Sequence, residues 1–323
     1  MLTSKLYSGL LDAGLFFYLA RMETIDEAIL NFSEDNLFLL NISLGLIMFG
    51  VAINLKVEDF QLVLKNPKSA LAGILSQFLF LPLLTYLLIL LIQPKPSFAL
   101  GMMLVAACPG GNISNFMSAM AKGNAALSVS LTAVSSSLSI IMTPLNLAFW
   151  ASLYPPTSNV LQVVSLDFWS MFQTIATLLI IPIILGMLLR KYQPKICDRL
   201  HPIMHYTSII IFAAIVLMAF KANFDLFLKY IHLVLFLVFV HNATALIMGY
   251  QIGTIFRVSK KDRRSIAIET GIQNSGLGLI LIFSFFDGLG GMAIVAAWWG
   301  IWHILAGLSL SYFWSRSPII ATS

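Results

Sequence analysis

The chain has 323 residues, of which 59% are hydrophobic and only 10% are charged, and its mean hydropathy is +0.90. A soluble domain could not bury that much apolar side chain, so the composition predicts a polytopic membrane protein and excludes the soluble classes. The net charge of +5 comes from basic residues spread over many short loops, which argues against nucleic acid as a partner. The two cysteines, Cys108 and Cys197, have neither the spacing of a metal site nor the context of a structural disulfide.

Ten apolar segments follow one another along the chain, and most reach the ~20 residues that a membrane-spanning helix requires. The first, residues 6–20, is short and contains Asp12. We interpret it as a retained helix rather than a signal peptide, because it lacks a convincing cleavage site. The other segments are residues 37–55, 69–92, 97–121, 125–150, 163–189, 203–220, 226–256, 264–286 and 290–315.

The fourth and the ninth segments are interrupted by glycines and amides. Residues 97–121 contain the run Cys108–Asn115, and residues 264–286 contain the run Thr270–Gly276. Such residues at membrane depth are typical of helices that open around a bound ion or substrate. The alternative is that Pro109 and the glycines only kink a packed helix. Two interruptions at corresponding positions favour a transporter.

Each interrupted segment is the fourth of five in its half of the chain. Because five is odd, the second half must enter the membrane in the opposite orientation. We therefore predict an all-α polytopic membrane protein with ten transmembrane helices in two inverted five-helix repeats. The repeats cover residues 1–156 and 157–323, with helix breaks near 108–115 and 269–276.

The lysines and arginines provide a test of this topology. With ten spans and a cytoplasmic N-terminus, most of the 19 basic residues fall on the cytoplasmic side, and both termini are cytoplasmic. A version with nine spans moves the N-terminus outside and barely changes the count. The basic residues left outside in the ten-span topology are Arg21, Lys95, Lys221 and Lys229.

Glu269 is the most informative residue of the chain. Of the 14 acidic residues, three fall inside a proposed span: Asp12 in the short first segment, Asp167 near the start of the sixth, and Glu269. An ionised side chain in hydrocarbon costs roughly 2.5–3.5 kcal/mol on insertion scales, so such a residue usually faces a partner or a pathway. We interpret Glu269 as part of an ion site in a transporter.

Oxygen-bearing side chains on other spans could complete this site, since a hard cation such as sodium takes about five or six oxygen ligands. Gln77 is the only amide of the third span, and Gln273 lies one helical turn after the carboxylate. The fifth span carries a hydroxyl stripe formed by Ser128, Thr132 and Ser135. Taken singly, such hydroxyls often bond only their own backbone. From the residues alone we expect hydrogen-bonded structural roles for His241, Asn242 and His303.

Several motifs resemble the bacterial bile acid:sodium symporter family, in the right order from about residue 40 to 312. They are Phe49–Leu55, Cys108–Asn115, Lys122–Thr132, His241–Asn242 and Glu269–Gly276. The resemblance implies a panel domain (first, second, sixth and seventh spans) and a core domain (spans three to five and eight to ten) that holds two crossed, broken helices. It also implies a multi-pass protein of the bacterial inner membrane.

The resemblance further implies two sodium sites that share Glu269. The first would use Ser114, Asn115, Ser128, Thr132 and Glu269. The second would use Gln77, Glu269, Gln273 and the backbone carbonyls of Thr270 and Ile272.

The substrate region departs from the family pattern. Ile304 stands where relatives often carry asparagine, and Asn112 and Ile113 stand where small residues are familiar. We therefore expect an organic anion that is either bile acid-like or a smaller carboxylate, such as pantoate or a keto acid. The candidate substrate-binding residues are Asn112, Ile113, Asn274 and His303.

The predicted function is sodium-coupled symport of an organic anion by alternating access in the lipid bilayer. Two sodium ions per monovalent anion would carry net positive charge inward. One alternative is a proton-coupled transporter in which Glu269 relays protons. Another is an intramembrane enzyme or receptor, which we disfavour because the chain lacks HExxH, GxSxG and Walker-type motifs. We expect no enzymatic activity, and the sequence does not indicate an oligomeric state.

Overall fold

The computed structural model describes residues 25–26, 28, 34–53, 55, 58, 61, 65–164, 167–222 and 224–317. Within these residues the regular secondary structure is helical, and the only β-type pairing is one isolated antiparallel bridge between Gly110 and Gln273. The first predicted span, residues 6–20, lies outside the described residues.

Twelve helices are labelled here in chain order. Two of them, α2 and α7, contain a short π-helical turn between two α-helical parts. The helices are α1 (Glu34–Ala52), α2 (Pro67–Leu75, Ser76–Phe80 and Leu81–Ile92), α3 (Pro96–Ala107), α4 (Ile113–Met120), α5 (Ala125–Ser152), α6 (Pro155–Val164), α7 (Phe168–Ile175, Ala176–Ile180 and Ile181–Tyr192), α8 (Pro194–Ala222), α9 (Phe224–Ile255), α10 (Lys260–Gly271), α11 (Ser275–Phe285) and α12 (Gly290–Arg316).

Among the described residues, five helices are long and apolar enough to cross a membrane, and three shorter helices are also apolar. Large apolar side chains cover the outer surface: Leu91 is 81% exposed and Ile255 is 70% exposed. A surface of this kind suits contact with lipid rather than water. The protein is therefore a polytopic membrane protein. The long helices are Pro67–Ile92, Ala125–Ser152, Trp169–Tyr192, Phe227–Ile255 and Gly290–Arg316, and the shorter ones are Leu37–Ala52, Pro96–Ala107 and Ser275–Phe285.

The sixth predicted span, residues 163–189, begins later than expected. The separate helix α6 ends at Val164, and α7 begins at Phe168. The Asp167 side chain accepts a hydrogen bond from the backbone N–H of Trp169 at 2.9 Å, which satisfies one of the free donors at the start of α7. An N-cap of this kind sets the boundary of a helix independently of its apolar content.

The seventh predicted span, residues 203–220, is longer in the structure. Helix α8 begins at Pro194 and ends at Ala222, so it starts in the basic segment that lies between the sixth and seventh predicted spans. Proline at a helix start needs no backbone donor and has the required φ angle. The predicted boundary between repeats, at residues 156 and 157, falls in the first turn of α6.

A proline follows each of the two π-turns. The turn Ser76–Phe80 precedes Pro82 in α2, and Ala176–Ile180 precedes Pro182 in α7. Proline has no N–H, and its ring clashes with the carbonyl four residues earlier, so the preceding turn widens to relieve the clash. The wider turn in α2 lies next to the two helix breaks, because Gln77 bonds to Gly110.

The broken helices lie in the interior of the bundle. In α3 every residue from Ser97 to Ala107 is buried, and in α11 the residues from Ser275 to Ile282 are buried. A helix that is buried on all sides belongs to the core of a helical bundle rather than to its surface. The two breaks are therefore surrounded by the longer helices.

Two further contacts join helix ends. The buried guanidinium of Arg264 on α10 donates to the carbonyl of Ala121, at the end of α4, at 2.7 Å, and to that of Trp314 on α12 at 3.0 Å. Helix α7 approaches α1 closely at Gly186, where an added Cβ would lie 2.5 Å from the Cβ of Ala52. Small residues permit such close approach between membrane helices.

Candidate functional site

The two helix breaks cross and hydrogen-bond to each other through their backbones. Helix α3 ends at Ala107 and α4 begins at Ile113, while α10 ends at Gly271 and α11 begins at Ser275. The N–H of Gly111 donates to the carbonyl of Ile272 at 2.7 Å, and the N–H of Asn274 donates to that of Pro109 at 2.8 Å. The two interruptions thus form one structural unit.

Both breaks are narrower than predicted. Residues 108–112 and 272–274 lie between the helices, whereas 108–115 and 269–276 were expected. Glu269 and Thr270 remain in the last turn of α10. Glu269 therefore projects from a helix end rather than from an unwound loop.

Neighbouring helices satisfy the free carbonyls at the two breaks. The hydroxyl of Thr143 donates to Ala107 O at 2.7 Å, and the amide of Asn242 donates to Gly271 O at 2.7 Å. The last carbonyls of a helix have no partner within it, so these bonds stabilise the broken ends. The structural role expected for Asn242 is what the structure shows.

Four of the predicted site residues come together around the carboxylate of a fifth, Glu269. The hydroxyls of Ser114 and Ser128 donate to Oε1 of Glu269, and Thr132 Oγ1 lies 3.1 Å from Oε2. Thr132 Oγ1 also lies 3.2 Å from Oδ1 of Asn115. Oxygens from α4, α5 and α10 therefore converge on one buried point.

This cluster has more close oxygen contacts than protons to fill them. Thr132 Oγ1 is 3.2 Å and 3.1 Å from the two carboxylate oxygens of Glu269 and 3.2 Å from Asn115 Oδ1. A hydroxyl carries a single proton, so it can form a full hydrogen bond to only one of these acceptors. The oxygens therefore keep lone pairs that a cation could use.

Glu269 also has no basic partner in the described part of the chain, where the one ion pair joins Arg190 and Asp198 at 2.6 Å. Glu269 itself is fully buried. A buried carboxylate that is ionised without a counterion is costly. The site therefore favours binding of a positive charge.

The other predicted residues lie on the opposite side of the carboxylate, across Gly110. A Cβ added to Gly110 would lie 2.7 Å from Glu269 Oε2 and 3.3 Å from Gln77 Oε1. Gln77 Oε1 accepts the N–H of Gly110 at 3.1 Å, and Gln273 Nε2 donates to the carbonyl of Thr270 at 2.8 Å. The carboxylate is thus adjacent to both predicted groups of oxygens.

Two amide atoms of this second group have no hydrogen-bond partner among the described residues, although both are buried. They are Gln77 Nε2 and Gln273 Oε1. Buried amide oxygens are nearly always bonded, so the free oxygen of Gln273 is an available ligand. The carbonyl of Ile272, also predicted as a ligand, accepts the N–H of Gly111 and has a second lone pair.

Sequence reasoning missed Ser76. Its hydroxyl lies 2.7 Å from Oγ1 of Thr270, which also lies 2.8 Å from the carbonyl oxygen of Ile266. Ser76 and Gln77 both lie in the π-turn of α2, and they contact different parts of the site, Ser76 the side chain of Thr270 and Gln77 the backbone of Gly110. Pro82 is the sequence signal that could have indicated this turn.

The hydroxyl stripe on α5 is only partly a site feature. Ser128 and Thr132 contact Glu269, whereas Ser135 donates to the carbonyl of Thr132 at 3.2 Å. Ser135 thus bonds to its own helix, as membrane serines often do.

Three of the four candidate substrate residues, Asn112, Ile113 and Asn274, lie at the two breaks or at the helix starts that follow them. Asn112 lies just before α4, and its amide contacts the sulfur of Met48 on α1 at 3.7 Å. Asn274 accepts the N–H of Leu277 at 3.0 Å and so caps the start of α11. Ile113 packs with Met117, Ile272 and Ile304 in a small apolar cluster. His303 is buried on α12, and its Nδ1 has no partner within the described residues.

Two other polar features lie away from Glu269. His241 Nε2 lies 2.7 Å from the hydroxyl of Thr85, which agrees with the structural role predicted for this histidine. A cavity of about 440 Å³ between α2 and α5 is lined by apolar side chains and Asn146, and contains none of the predicted site residues. Within the described residues no cluster of three or more His, Cys, Asp or Glu could hold a metal ion.

Comparison with known proteins identifies the family. The model of the Sodium Bile acid symporter family matches residues 41–230. A Bacillus subtilis protein named Uncharacterized sodium-dependent transporter YocS is 32% identical over 294 residues, which cover 90% of this chain and 88% of that protein. An Arabidopsis thaliana protein named Probable sodium/metabolite cotransporter BASS1, chloroplastic, is 29% identical over 276 residues, which cover 85% of this chain and 66% of that protein. These relatives are named as transporters rather than enzymes. The chain belongs to the Sodium Bile acid symporter family, and it is a membrane transport protein.

Proposed function

We propose that this protein is a sodium-coupled symporter that carries a small organic anion across the membrane by alternating access. The observation that carries the proposal is the buried Glu269 carboxylate, which has no basic partner among the described residues and is surrounded by neutral oxygens from other helices. The names of the sodium-dependent relatives support the choice of ion.

The first proposed sodium site lies on the Oε1 side of Glu269. Its ligands would be side-chain oxygens on α4, α5 and α10, a number within the range that a hard cation takes. A sodium ion there would bind the lone pairs that Thr132, Asn115 and the carboxylate leave free. The proposed ligands are Ser114, Asn115, Ser128, Thr132 and Glu269.

The second proposed sodium site lies on the Oε2 side, across Gly110. The free oxygen of Gln273 would gain a partner there. Because one carboxylate would serve both ions, binding of the second ion depends on the first. The proposed ligands are Gln77, Glu269, Gln273 and the carbonyls of Thr270 and Ile272.

The organic anion would bind beside the crossing, at the N-terminal ends of α4 and α11. Helix N-termini carry partial positive charge and favour a carboxylate. Asn112 and Asn274 lie at these two ends. Ile304 and Ile113 belong to one apolar cluster, so Ile304 cannot donate the hydrogen bond that an asparagine would offer to a bile salt, and we propose a smaller carboxylate as the cargo. His303 would line the same pocket from α12.

Sodium would couple to the anion through the crossing of the breaks. Filled sodium sites fix α4 and α10 relative to each other, and this in turn completes the anion pocket. The core domain would then move against a panel domain that includes α1, α7 and α8. With ten spans in two inverted repeats, both termini lie in the cytoplasm of a bacterial cell, as the charge distribution favours.

Thermal unfolding of the purified protein in sodium and in potassium, at one pH, tests the sodium sites. A ligand present at a hundredfold excess over its Kd stabilises by about 2.7 kcal/mol, so sodium should raise the unfolding temperature. Glu269→Ala and Glu269→Gln should both abolish the rise. Ser130→Ala should not, because the Ser130 hydroxyl bonds to Ala126 O in its own helix.

If the parent shows no difference between sodium and potassium, sodium coupling is wrong. A response to pH that requires Glu269 would then favour a proton-coupled transporter. Once sodium binding is established, uptake of small carboxylates into proteoliposomes tests the cargo. Uptake that does not depend on membrane voltage would contradict a stoichiometry of two sodium ions per monovalent anion.

A further inference from the structure

A groove on the outer surface of the bundle lies between α2 and α5. Its volume is about 440 Å³, which is within the range of pockets that hold small ligands. Leu145 and Phe149 line the groove and are 48% and 53% exposed, so it opens away from the core. Because this surface faces the bilayer, lipid molecules are the ligands that reach it.

The helices on both sides of the groove are irregular. Phe78 and Leu79 line it from the π-turn of α2. Pro144 lies inside α5, between the lining residues Met142 and Leu145. A π-turn widens its helix and a proline removes a backbone hydrogen bond, so the side-chain ridges of two such helices do not interlock closely. The groove is therefore a consequence of the backbone of both helices.

The length of the groove matches one acyl chain. On α5 the lining residues extend from Leu138 to Trp150, which is ~18 Å along the helix axis. One leaflet takes half of the hydrocarbon thickness of ~30 Å, or about 15 Å. A chain that lies along the groove would thus extend from the edge of the hydrocarbon to near the middle of the bilayer.

One amide interrupts the apolar lining. The Asn146 side chain is only 7% exposed, and its Nδ2 has no hydrogen-bond partner among the described residues. Trp150 Nε1 donates to Oδ1 of the same amide at 3.0 Å, so the atom left without a partner is a donor. Buried amide groups are nearly always bonded, which indicates that the acceptor for Nδ2 comes from a ligand.

The position of Asn146 along α5 matches the depth of a lipid ester. Helix α5 has 28 residues and is ~42 Å long, close to the ~40–45 Å of a bilayer with its headgroups. Asn146 lies ~9 Å before the last residue, Ser152, and the headgroup region takes ~5–8 Å on each side. The rings of Tyr86 and Trp150, 5.5 Å apart, lie at the same end, as aromatic residues do at membrane interfaces. The amide is thus at the edge of the hydrocarbon, where glycerolipids carry their ester groups.

We propose that the groove binds one acyl chain of an ester-linked glycerolipid, whose ester carbonyl accepts a hydrogen bond from Asn146 Nδ2. The chain lies along α5 from Asn146 toward Leu138, and the headgroup lies beyond Trp150. The site recognises the linkage rather than the headgroup, since the described residues that line it include no lysine or arginine. This proposal does not depend on the sodium sites.

Ester and ether lipids with the same headgroup and chains test the proposal. The full-length protein, purified in detergent and freed of bound lipid, is titrated with dioleoyl phosphatidylglycerol or with its dioleyl ether. Native mass spectrometry counts the bound lipids and gives the Kd of the first one. Because the ether has no carbonyl, we expect the parent to bind the ester about tenfold more tightly, the ratio typical of one hydrogen bond.

Three variants locate the bound lipid. Asn146→Leu removes the amide and keeps a side chain of similar size, so it should bind the ester about tenfold more weakly and the ether as the parent does. Leu138→Trp places a large ring in the groove and should weaken binding of both lipids. Ile141→Trp, at an exposed residue of α5 that does not line the groove, is the matched control and should bind both like the parent.

Equal affinity of the parent for the ester and the ether would overturn the proposal, because Asn146 would then not recognise the carbonyl. Equal losses of both lipids in Asn146→Leu would also overturn it, since the amide would then only shape the groove. Parental binding by Leu138→Trp would show that the lipid binds elsewhere, with the same consequence. None of these outcomes bears on the sodium sites.

Discussion

Replacing Gly110 by alanine should weaken sodium binding through a single steric contact. The new methyl carbon would lie 2.7 Å from Glu269 Oε2, a distance that real side chains do not tolerate. The carboxylate cannot move away freely, because Ser114, Ser128 and Thr132 hold it from the other side. The clash must therefore displace either the carboxylate or the crossing of the breaks.

The expected magnitude follows from overpacking. Inserting a methyl group into a well-packed interior costs about 1–3 kcal/mol. If this cost is borne by the sodium-bound state, affinity for sodium falls roughly 5- to 150-fold, since each 1.4 kcal/mol is a factor of ten. The assay is a sodium titration of the unfolding temperature, with potassium replacing sodium to keep the ionic strength constant.

Gly278→Ala is the matched control for Gly110→Ala. A methyl group at Gly278 would lie no closer than 3.8 Å to its nearest neighbour, the sulfur of Cys108, which is an ordinary contact. The unfolding temperature of Gly278→Ala should rise with sodium concentration as it does in the parent. A parental titration in Gly110→Ala would show that the carboxylate does not lie against Gly110, and the reasoning from this contact would then be wrong.

Three further changes test the fold around the site. Thr85→Val removes the hydroxyl bonded to His241 and should lower the free energy of unfolding by about 1–3 kcal/mol, while the rise in unfolding temperature caused by sodium stays the same. Loss of that rise would connect His241 to the ion site. Arg264→Lys loses the guanidinium group that donates to the carbonyls of Ala121 and Trp314, and it should lower the free energy of unfolding by about 1.5–3 kcal/mol in both sodium and potassium. An unaltered unfolding temperature would show that these two bonds do not stabilise the fold. Gly186→Ala should destabilise by about 1–3 kcal/mol, whereas Gly45→Ala, whose methyl group meets its nearest atom at 4.0 Å, should be neutral; equal effects in denaturation would contradict the close approach.

Much of the candidate site could be predicted because residues three or four apart in the sequence lie on one face of a helix. Ser128 and Thr132 are four residues apart on an apolar helix, and both contact Glu269. Glu269 itself is conspicuous as a carboxylate in an apolar span. Ser114 and Asn115 were expected from the family resemblance, and they lie at the same carboxylate.

The extent of the breaks could not be predicted, because it depends on contacts between distant parts of the chain. The sequence marks both regions by their glycines and amides, but α10 continues to Gly271. The chain leaves the helix where Ile272 and Gln273 pair with the backbone of the other break. Nothing in residues 264–286 alone indicates at which residue that pairing begins.

Ser76 could not be predicted as a neighbour of the site for a different reason. In a regular α-helix, consecutive residues point in different directions, so Gln77 on the site predicts that Ser76 is elsewhere. Both nevertheless reach the site, because different elements pack on the two directions: Ser76 contacts Thr270 on α10, and Gln77 contacts Gly110 in the first break. Pro82 is visible in the sequence, but the packing of the surrounding helices decides whether it causes a kink or a wider turn.

The π-turn also sets the angular register of α2. Such a turn takes up one residue more than an α-helical turn, so the extra residue adds no rotation between the parts of the helix on either side, whereas each α-helical residue rotates the chain by about 100°. If Ser76–Phe80 formed a regular α-helix with every residue kept, Pro67–Leu75 would turn by about that angle relative to Leu81–Ile92. Ser69, whose hydroxyl bonds to Asp262 on α10, would then point away from α10. A substitution that converts the π-turn to an α-helix would therefore move this face of α2 off the site without changing any residue of that face.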